Sequence, residues 1–328
     1  MTETVVITGA SAGVGRATAR AFGKRRARVA LIARGVDGLE AAKREIEADG
    51  GEAMVLPLDV SDHDAVDRAA GEVESRFGPI DIWINNAMLS VFSPIMEMTA
   101  DDYRRVTDVT YHGYVWGTLA ALRRMKPRDR GVIVQVGSAL AYRGIPLQSA
   151  YCAAKHAVQG FHDSLRSELI HDGSSVQVVM VQMPALNTPQ FRWVKSRLPR
   201  KAQPVPPIFQ PEVAAEAIVW AAYCGRREVN VGWPTTKAVV GNNFFPGLGD
   251  RYLAHNGYEA QMIDEPEDPH RANNLWSPLP GDAGAHGVFD DRSTPRSLQL
   301  ELNKQRPWLL AALGLIAGAL AVSAVRKR

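Results

Sequence analysis

The chain has 328 residues, of which 46% are hydrophobic and 22% charged, and its formal net charge is +3. Those fractions exclude a collagen-like, coiled-coil or wholly disordered chain, and the near-balance of charge argues against a protein built mainly to hold nucleic acid. Two cysteines, Cys152 and Cys224, exclude a disulfide scaffold and a four-cysteine zinc site, and no histidine has metal-ligand spacing, so no metal is expected.

The N-terminus carries no basic segment ahead of a long apolar run, so no secretory signal is expected. Val5–Ile7 reads as a short buried strand, followed by glycines and a helix over Arg16–Arg26. The alternation then repeats. Strands are predicted at Val29–Ile32, Ala53–Leu58, Ile80–Ile84, Val132–Val136, Val176–Val181 and Glu228–Val231. Helices are predicted at Leu39–Asp49, Ser61–Phe77, Tyr103–Met125, Ala150–Ile170 and Ala214–Ala222. This rhythm of βαβ units predicts a doubly wound parallel sheet of about seven strands with helices on both faces.

The composition changes toward the C-terminus. Residues 264–292 carry Pro266, Pro269, Pro278 and Pro280 and seven acids, and read as an irregular arm or linker. Trp276, Leu279 and Phe289 are its spare apolar groups. Trp308–Val325 has no charge and no proline, is about 27 Å long as a helix, and is bounded by Arg306 and Arg326–Arg328. It reads as a membrane anchor with Trp308 at the interface. The expected organisation is a catalytic domain over 1–262, an acidic arm over 263–306 and an anchor over 307–325, with the catalytic domain on the cytoplasmic side.

Chemistry concentrates at strand ends. Thr8, Gly9, Ser11, Gly13, Val14 and Gly15 follow the first strand and open the first helix. Glycine permits the tight turn and close backbone approach, and the helix N-terminus offers free N–H groups to a pyrophosphate. Tyr151 and Lys155 stand at i and i+4 on a predicted helix, so a cation lies on the tyrosine's face and favours its phenolate. Ser138, at the end of a strand, is placed to orient a substrate oxygen. At the end of the second strand, where an acid would take a ribose 2′-hydroxyl, stands Arg34. Arginine suits a 2′-phosphate, with Arg16 as a second cation, so NADP is expected over NAD.

In this order and spacing the motifs resemble the classical short-chain dehydrogenase/reductase family over roughly residues 4–235. The resemblance implies a Rossmann-type domain and hydride exchange between NADP(H) and a carbonyl or alcohol. By resemblance, Ser138, Tyr151 and Lys155 are catalytic, with Lys155 also holding the nicotinamide ribose. Asp59, Val60, Asn86, Ala87, Pro184 and Thr188 join the glycine loop in holding the cofactor. The family's relay asparagine is replaced here by Thr110, and Met88 stands where a glycine is usual, predicting a backbone that runs differently or crowds the cofactor. The segment between Pro189 and Gln210 occupies the place of a substrate lid; it is basic, and as an amphipathic helix its Phe191, Trp193, Val194 and Leu198 would line an apolar pocket or touch a membrane surface, a solvated basic loop being the equal alternative. An apolar lid together with the anchor suits a lipophilic substrate. His112, Tyr142 and Gln148 are further candidates to face the pocket. The resemblance also implies a homodimer or homotetramer paired through the helices at Tyr103–Met125 and Ala150–Ile170. A catalytically weak NADP-binding scaffold or sensor at a membrane is the alternative reading.

Overall fold

Seven short, largely buried strands form the centre of the molecule in a computed structural model, which describes residues 2–305. They are β1 (Thr4–Thr8), β2 (Arg28–Ala33), β3 (Glu52–Pro57), β4 (Ile82–Asn85), β5 (Val132–Val136), β6 (Gln177–Gln182) and β7 (Glu228–Asn230). All pair in parallel, in the spatial order 3-2-1-4-5-6-7. The order reverses between β1 and β4, and a crevice opens there beyond the strands' C-terminal ends. The near-continuous Val/Ile runs follow from burial on both faces.

Helices α1 (Gly13–Gly23), α2 (Val36–Ala48) and α3 (His63–Phe77) connect the first four strands. The expected single helix over Tyr103–Met125 is broken. It becomes α4 (Ala100–Thr107), one π-helical turn at Asp108–His112, and α5 (Gly113–Met125). The wide turn lies where Thr110 reaches across to the backbone of Leu89, as such turns often do near functional sites. Helix α6 (Ser149–His171) carries Tyr151 and Lys155 in its first two turns. Helix α7 (Pro211–Ala221) precedes β7, and α8 (Gly232–Phe244) and α9 (Pro246–Asn256) follow it.

The boundary expected at residue 262 falls inside a strand. Met262–Pro266 pairs antiparallel with Arg200–Ala202 of the lid segment. The stretch after it is no free linker. Leu275, Ala285, Phe289 and Leu300 are all buried in the domain. Of the apolar groups expected to tie it down, Phe289 does so, whereas Trp276 stays 58% exposed and its neighbour Leu275 is the buried anchor. Among the described residues no helix is long and apolar enough to cross a membrane. The apolar run at 308–325 lies outside them.

Candidate active site

The glycine loop is shaped by close approach. Gly9 has φ +69°, and a Cβ there would lie 2.8 Å from the Ala87 Cα. A Cβ on Gly15 would fall 2.1 Å from the Gly9 carbonyl oxygen. Thr8 fixes the loop to the end of β4: its hydroxyl accepts from the N–H groups of Asn86 (2.9 Å) and Ala87 (3.1 Å). Asn86 answers with its amide, which donates to the Thr8 carbonyl at 2.9 Å. Thr8 and Gly15 therefore build the loop from behind and do not line the crevice.

In front of the loop runs a cavity of about 380 Å³. Gly9, Ser11, Gly13, Val14, Arg34, Asp59, Val60, Asn86 and Ala87 line one end. Ser138, Tyr151, Lys155, Pro184 and Thr188 line the other. The predicted catalytic and cofactor residues thus share one groove, and its size suits a small-molecule site. A loop that tolerates no Cβ, beside a helix N-terminus, fits a dinucleotide pyrophosphate. Met88 also lines the groove, without a left-handed backbone, so this position needs no glycine.

Lys155 is 2% exposed. Its ammonium donates to the Val136 carbonyl (2.7 Å) and the Tyr114 hydroxyl (2.9 Å), and Tyr114 donates in turn to the same carbonyl at 2.8 Å. Burial pushes the Lys155 pKa down to about 7. Burial also raises Tyr151 above its ordinary range, against a smaller pull downward from the Ser138 hydroxyl. The lowered tyrosine pKa expected from the i, i+4 spacing is therefore not the balance this site strikes. Desolvation dominates at Tyr151, and the hydrogen bonds of Lys155 go to Tyr114 and Val136 rather than to Tyr151. Ser138 is buried, and its oxygen accepts from the Leu140 N–H at 3.1 Å.

Thr110 does not continue a proton path. Its hydroxyl accepts from the Leu89 N–H (2.9 Å) and donates to the Leu89 carbonyl (3.0 Å), so its donor is spent. Tyr114, four residues on, is the group that sequence reasoning missed.

Arg16 does not take the place expected of it beside the cofactor. It is 1% exposed and bound to Glu45 (2.7 Å), the Gly38 carbonyl (2.6 Å) and Asp282 (3.3 Å). Its charge is neutralised within the fold, so it does not serve a 2′-phosphate. Arg34 lines the groove as expected, although its guanidinium is held by three backbone carbonyls, those of Asn274 (2.5 Å), Trp276 (3.0 Å) and Leu275 (3.3 Å). Burial lowers its pKa, which nearby Asp59 partly restores. Asp59 pairs with Arg105 and accepts from Ser61. Burial raises its pKa, but those bonds hold it below the usual carboxylate range.

Of the further candidates, Gln148 lines the groove and donates to Gln261 at 2.7 Å. Tyr142 turns to Glu228 at 2.8 Å, and His112 pairs with Asp108 and stacks on Trp116. Among the described residues no cluster suited to a metal ion is present.

A doubly wound sheet with a phosphate-ready loop and a Ser–Tyr–Lys group in one groove defines an oxidoreductase acting on CH–OH groups. The short chain dehydrogenase family model matches residues 3–197. The chain belongs to that family. It is 33% identical to an uncharacterized oxidoreductase, YxnA, of Bacillus subtilis (strain 168), over 97% of this chain and 90% of that one. It is 31% identical to a fatty acyl-CoA reductase of Acinetobacter baylyi, over 67% and 72% of the two chains. Among solved structures, the alcohol dehydrogenase of Thermococcus sibiricus complexed with 5-hydroxy-NADP superposes with a TM-score of 0.60 at 28% identity, over 70% of this chain and 96% of that one. A metagenomic short-chain oxidoreductase in complex with NADP gives 0.59 at 29%, over the same shares.

Proposed function

We propose that the protein is an NADP(H)-dependent oxidoreductase that interconverts a lipophilic carbonyl compound and its alcohol. The observation that carries this reading is the single groove joining the glycine loop to Ser138, Tyr151 and Lys155, with an apolar far end. Leu140, Ile145, Leu186, Phe191, Val194 and Val205 line that end and favour an apolar substrate chain. NADP is favoured over NAD because Arg34, not an acid, directly follows β2. The NADP and 5-hydroxy-NADP of the two structural neighbours, and the acyl-CoA substrate class in the Acinetobacter relative's name, point the same way.

When bound, the nicotinamide supplies or accepts the hydride. The protein's part is proton and position. In the reducing direction Tyr151 donates its phenolic proton to the substrate oxygen, and Ser138 holds that oxygen by a hydrogen bond. Lys155, fixed by Tyr114 and Val136, stabilises the developing phenolate when it is protonated. The lid segment is held over the site by Lys195 and Arg197, which both bind Asp102 of α4.

A membrane surface is the setting we infer. Trp233, Phe244, Leu248 and Tyr252 of α8 and α9, and Phe245 between them, are all more than half exposed. These helices pack on the loop after Ser138, through Asn242 to the Tyr142 carbonyl (2.8 Å) and Asp250 to Arg143 (2.5 Å). The apolar sequence 308–325 adds a second hydrophobic element. Co-flotation with phospholipid vesicles tests this part; full-length protein that stays in the unbound fraction removes it.

NADPH oxidation against a panel of ketones, aldehydes and long-chain acyl substrates tests the reading. Tyr151→Phe should lower turnover by roughly 10²–10⁴-fold while NADPH still binds. A second reading, an NADP-occupied sensor, draws on the spent hydroxyl of Thr110. It gains if no carbonyl in the panel is turned over and cofactor binding persists.

A further inference from the structure

The stretch that reads as a linker lies across the dinucleotide end of the groove. Asn274, Pro278, Leu279, Gly281 and Ala283 line the same cavity as the glycine loop. The stretch is fastened to both banks. On one bank its three carbonyls hold Arg34, the Leu275 carbonyl accepts from Arg105 (3.0 Å), and the Gly281 N–H donates to Asp37 (2.7 Å). At the loop itself, Gly13 N–H donates to the Gly284 carbonyl at 3.1 Å. On the other bank, Asn274 N–H donates to the Trp193 carbonyl (3.0 Å) and Gly287 N–H to the Asn187 carbonyl (3.2 Å). Gly287 is pressed so closely there that a Cβ would lie 2.5 Å from the Asn187 side-chain oxygen.

We propose that residues 271–287 form an additional wall of the cofactor site, which positions Arg34 for the 2′-phosphate and bars sideways escape of the dinucleotide. The inference rests on the NADP(H) reading above. Three neutral carbonyls fix the Arg34 guanidinium without cancelling its charge, whereas Glu45 and Asp282 cancel that of Arg16. An arginine held this way keeps its attraction for phosphate and loses little side-chain freedom on binding it. With both banks tied to one stretch of chain, a bound dinucleotide leaves only when those ties open, so release is slow. Because each turnover converts NADPH to NADP⁺ or the reverse, the dinucleotide is exchanged in every cycle, and opening of the ties limits that exchange.

The test uses the full chain with Leu275→Ala, and Trp276→Ala as a second variant should the first fail to fold. Leu275 is fully buried and Trp276 sits over Arg105 at 5.4 Å, and neither lines the groove. Both changes are electrically neutral, so they loosen the wall without altering the field at the phosphate. NADPH is loaded, displaced by excess NADP⁺, and followed by its fluorescence in stopped flow. Amide exchange of residues 271–287 is measured alongside. The expected result is faster arm exchange, release accelerated at least 10-fold, and a Kd raised to match. Faster arm exchange with unchanged release overturns the proposal, and tighter NADPH binding overturns it in favour of an obstructing arm. A wild type that binds NADH instead is tested with NADH, and then only the assignment to the 2′-phosphate falls. A wild type that binds neither removes the cofactor reading itself, and the wall with it.

Discussion

Lys155→Met should make the protein more stable while stopping its chemistry. The amine is fully enclosed, and its pKa stands at about 7 against an ordinary 10.5. Below about pH 7 the folded and unfolded chains both carry the charge, and the folded chain bears the whole desolvation cost. Between about 7 and 10.5 the unfolded chain binds more protons, so stability rises with pH through that window. At pH 7 the cost amounts to about 4 kcal/mol. Methionine has similar length and no charge, and it removes this cost. It also removes two hydrogen bonds, to Tyr114 and Val136, worth about 1 kcal/mol each. Tyr114 keeps its own bond to the Val136 carbonyl, so no buried acceptor is orphaned. The net gain is about 2 kcal/mol, or roughly 4 °C in Tm. Thermal and urea unfolding of cofactor-free protein at pH 6.5, 7.5, 8.5 and 9.5 measures it. The wild type should gain on the variant as pH climbs, the two curves crossing at about pH 9. A variant that is less stable at pH 7, or that follows the wild-type pH slope, refutes the argument that burial governs this lysine.

Arg34→Glu should reverse cofactor preference, lowering the NADPH-to-NADH ratio of kcat/KM by about 10²-fold or more, because a carboxylate repels the 2′-phosphate and accepts from a ribose hydroxyl. Steady-state rates with both cofactors check this. Gly117→Ala should destabilise by about 2–4 kcal/mol in urea unfolding, since its Cβ would lie 2.2 Å from the Asn85 side-chain oxygen and 2.7 Å from Trp83 Nε1. Burial raises the Asp102 pKa, but the bonds from Lys195, Arg197 and Thr99 outweigh it and hold the group at about 2. The stability this gives is complete above about pH 4 and is lost as pH falls toward 2. Asp102→Asn should lose that acid shoulder, with Lys195 and Arg197 released from α4, in acid unfolding followed by circular dichroism.

What could be read in advance was whatever local geometry encodes. Tyr151 and Lys155 meet because a helix repeats every 3.6 residues, and Gly9 and Gly15 sit where they do because no Cβ fits. The seven strands follow from apolar β-branched runs separated by amphipathic helices, whereas their order was not read from the sequence. Arg16 and Arg34 show where this stops. Both are single arginines near a phosphate loop, and what separates them is the charge of partners far along the chain. Glu45 and Asp282 disarm one, while carbonyls some 240 residues away hold the other. Backbone carbonyls carry no side-chain code, so the arm's role was invisible and only its composition showed. The π-turn at Asp108–His112 was hidden for a related reason: it sits where Thr110 bonds across space to Leu89. Tyr114 was legible in part, because it lies one turn beyond Thr110 on the same side of the helix.

The polar cluster at the ends of β4 and β5 bears on how the sheet avoids misassembly. Strands of valine and isoleucine can slide past one another with little change in buried area, so hydrophobicity alone leaves their alignment loosely determined. Here Asn85 and Gln135 are register partners. They bond to each other (3.1 Å) and to the Thr118 hydroxyl (3.0 and 2.8 Å), and Trp83 donates to Asn85 at 2.8 Å. A slip of two residues would keep the faces apolar but part Asn85 from Gln135 and break the bridge the two share at Thr118, at about 1–3 kcal/mol for each buried group left without a partner. The network acts as a key that only one alignment turns. Because Asn86 follows Asn85 directly, the alignment it selects also sets the depth at which the phosphate loop meets its neighbour.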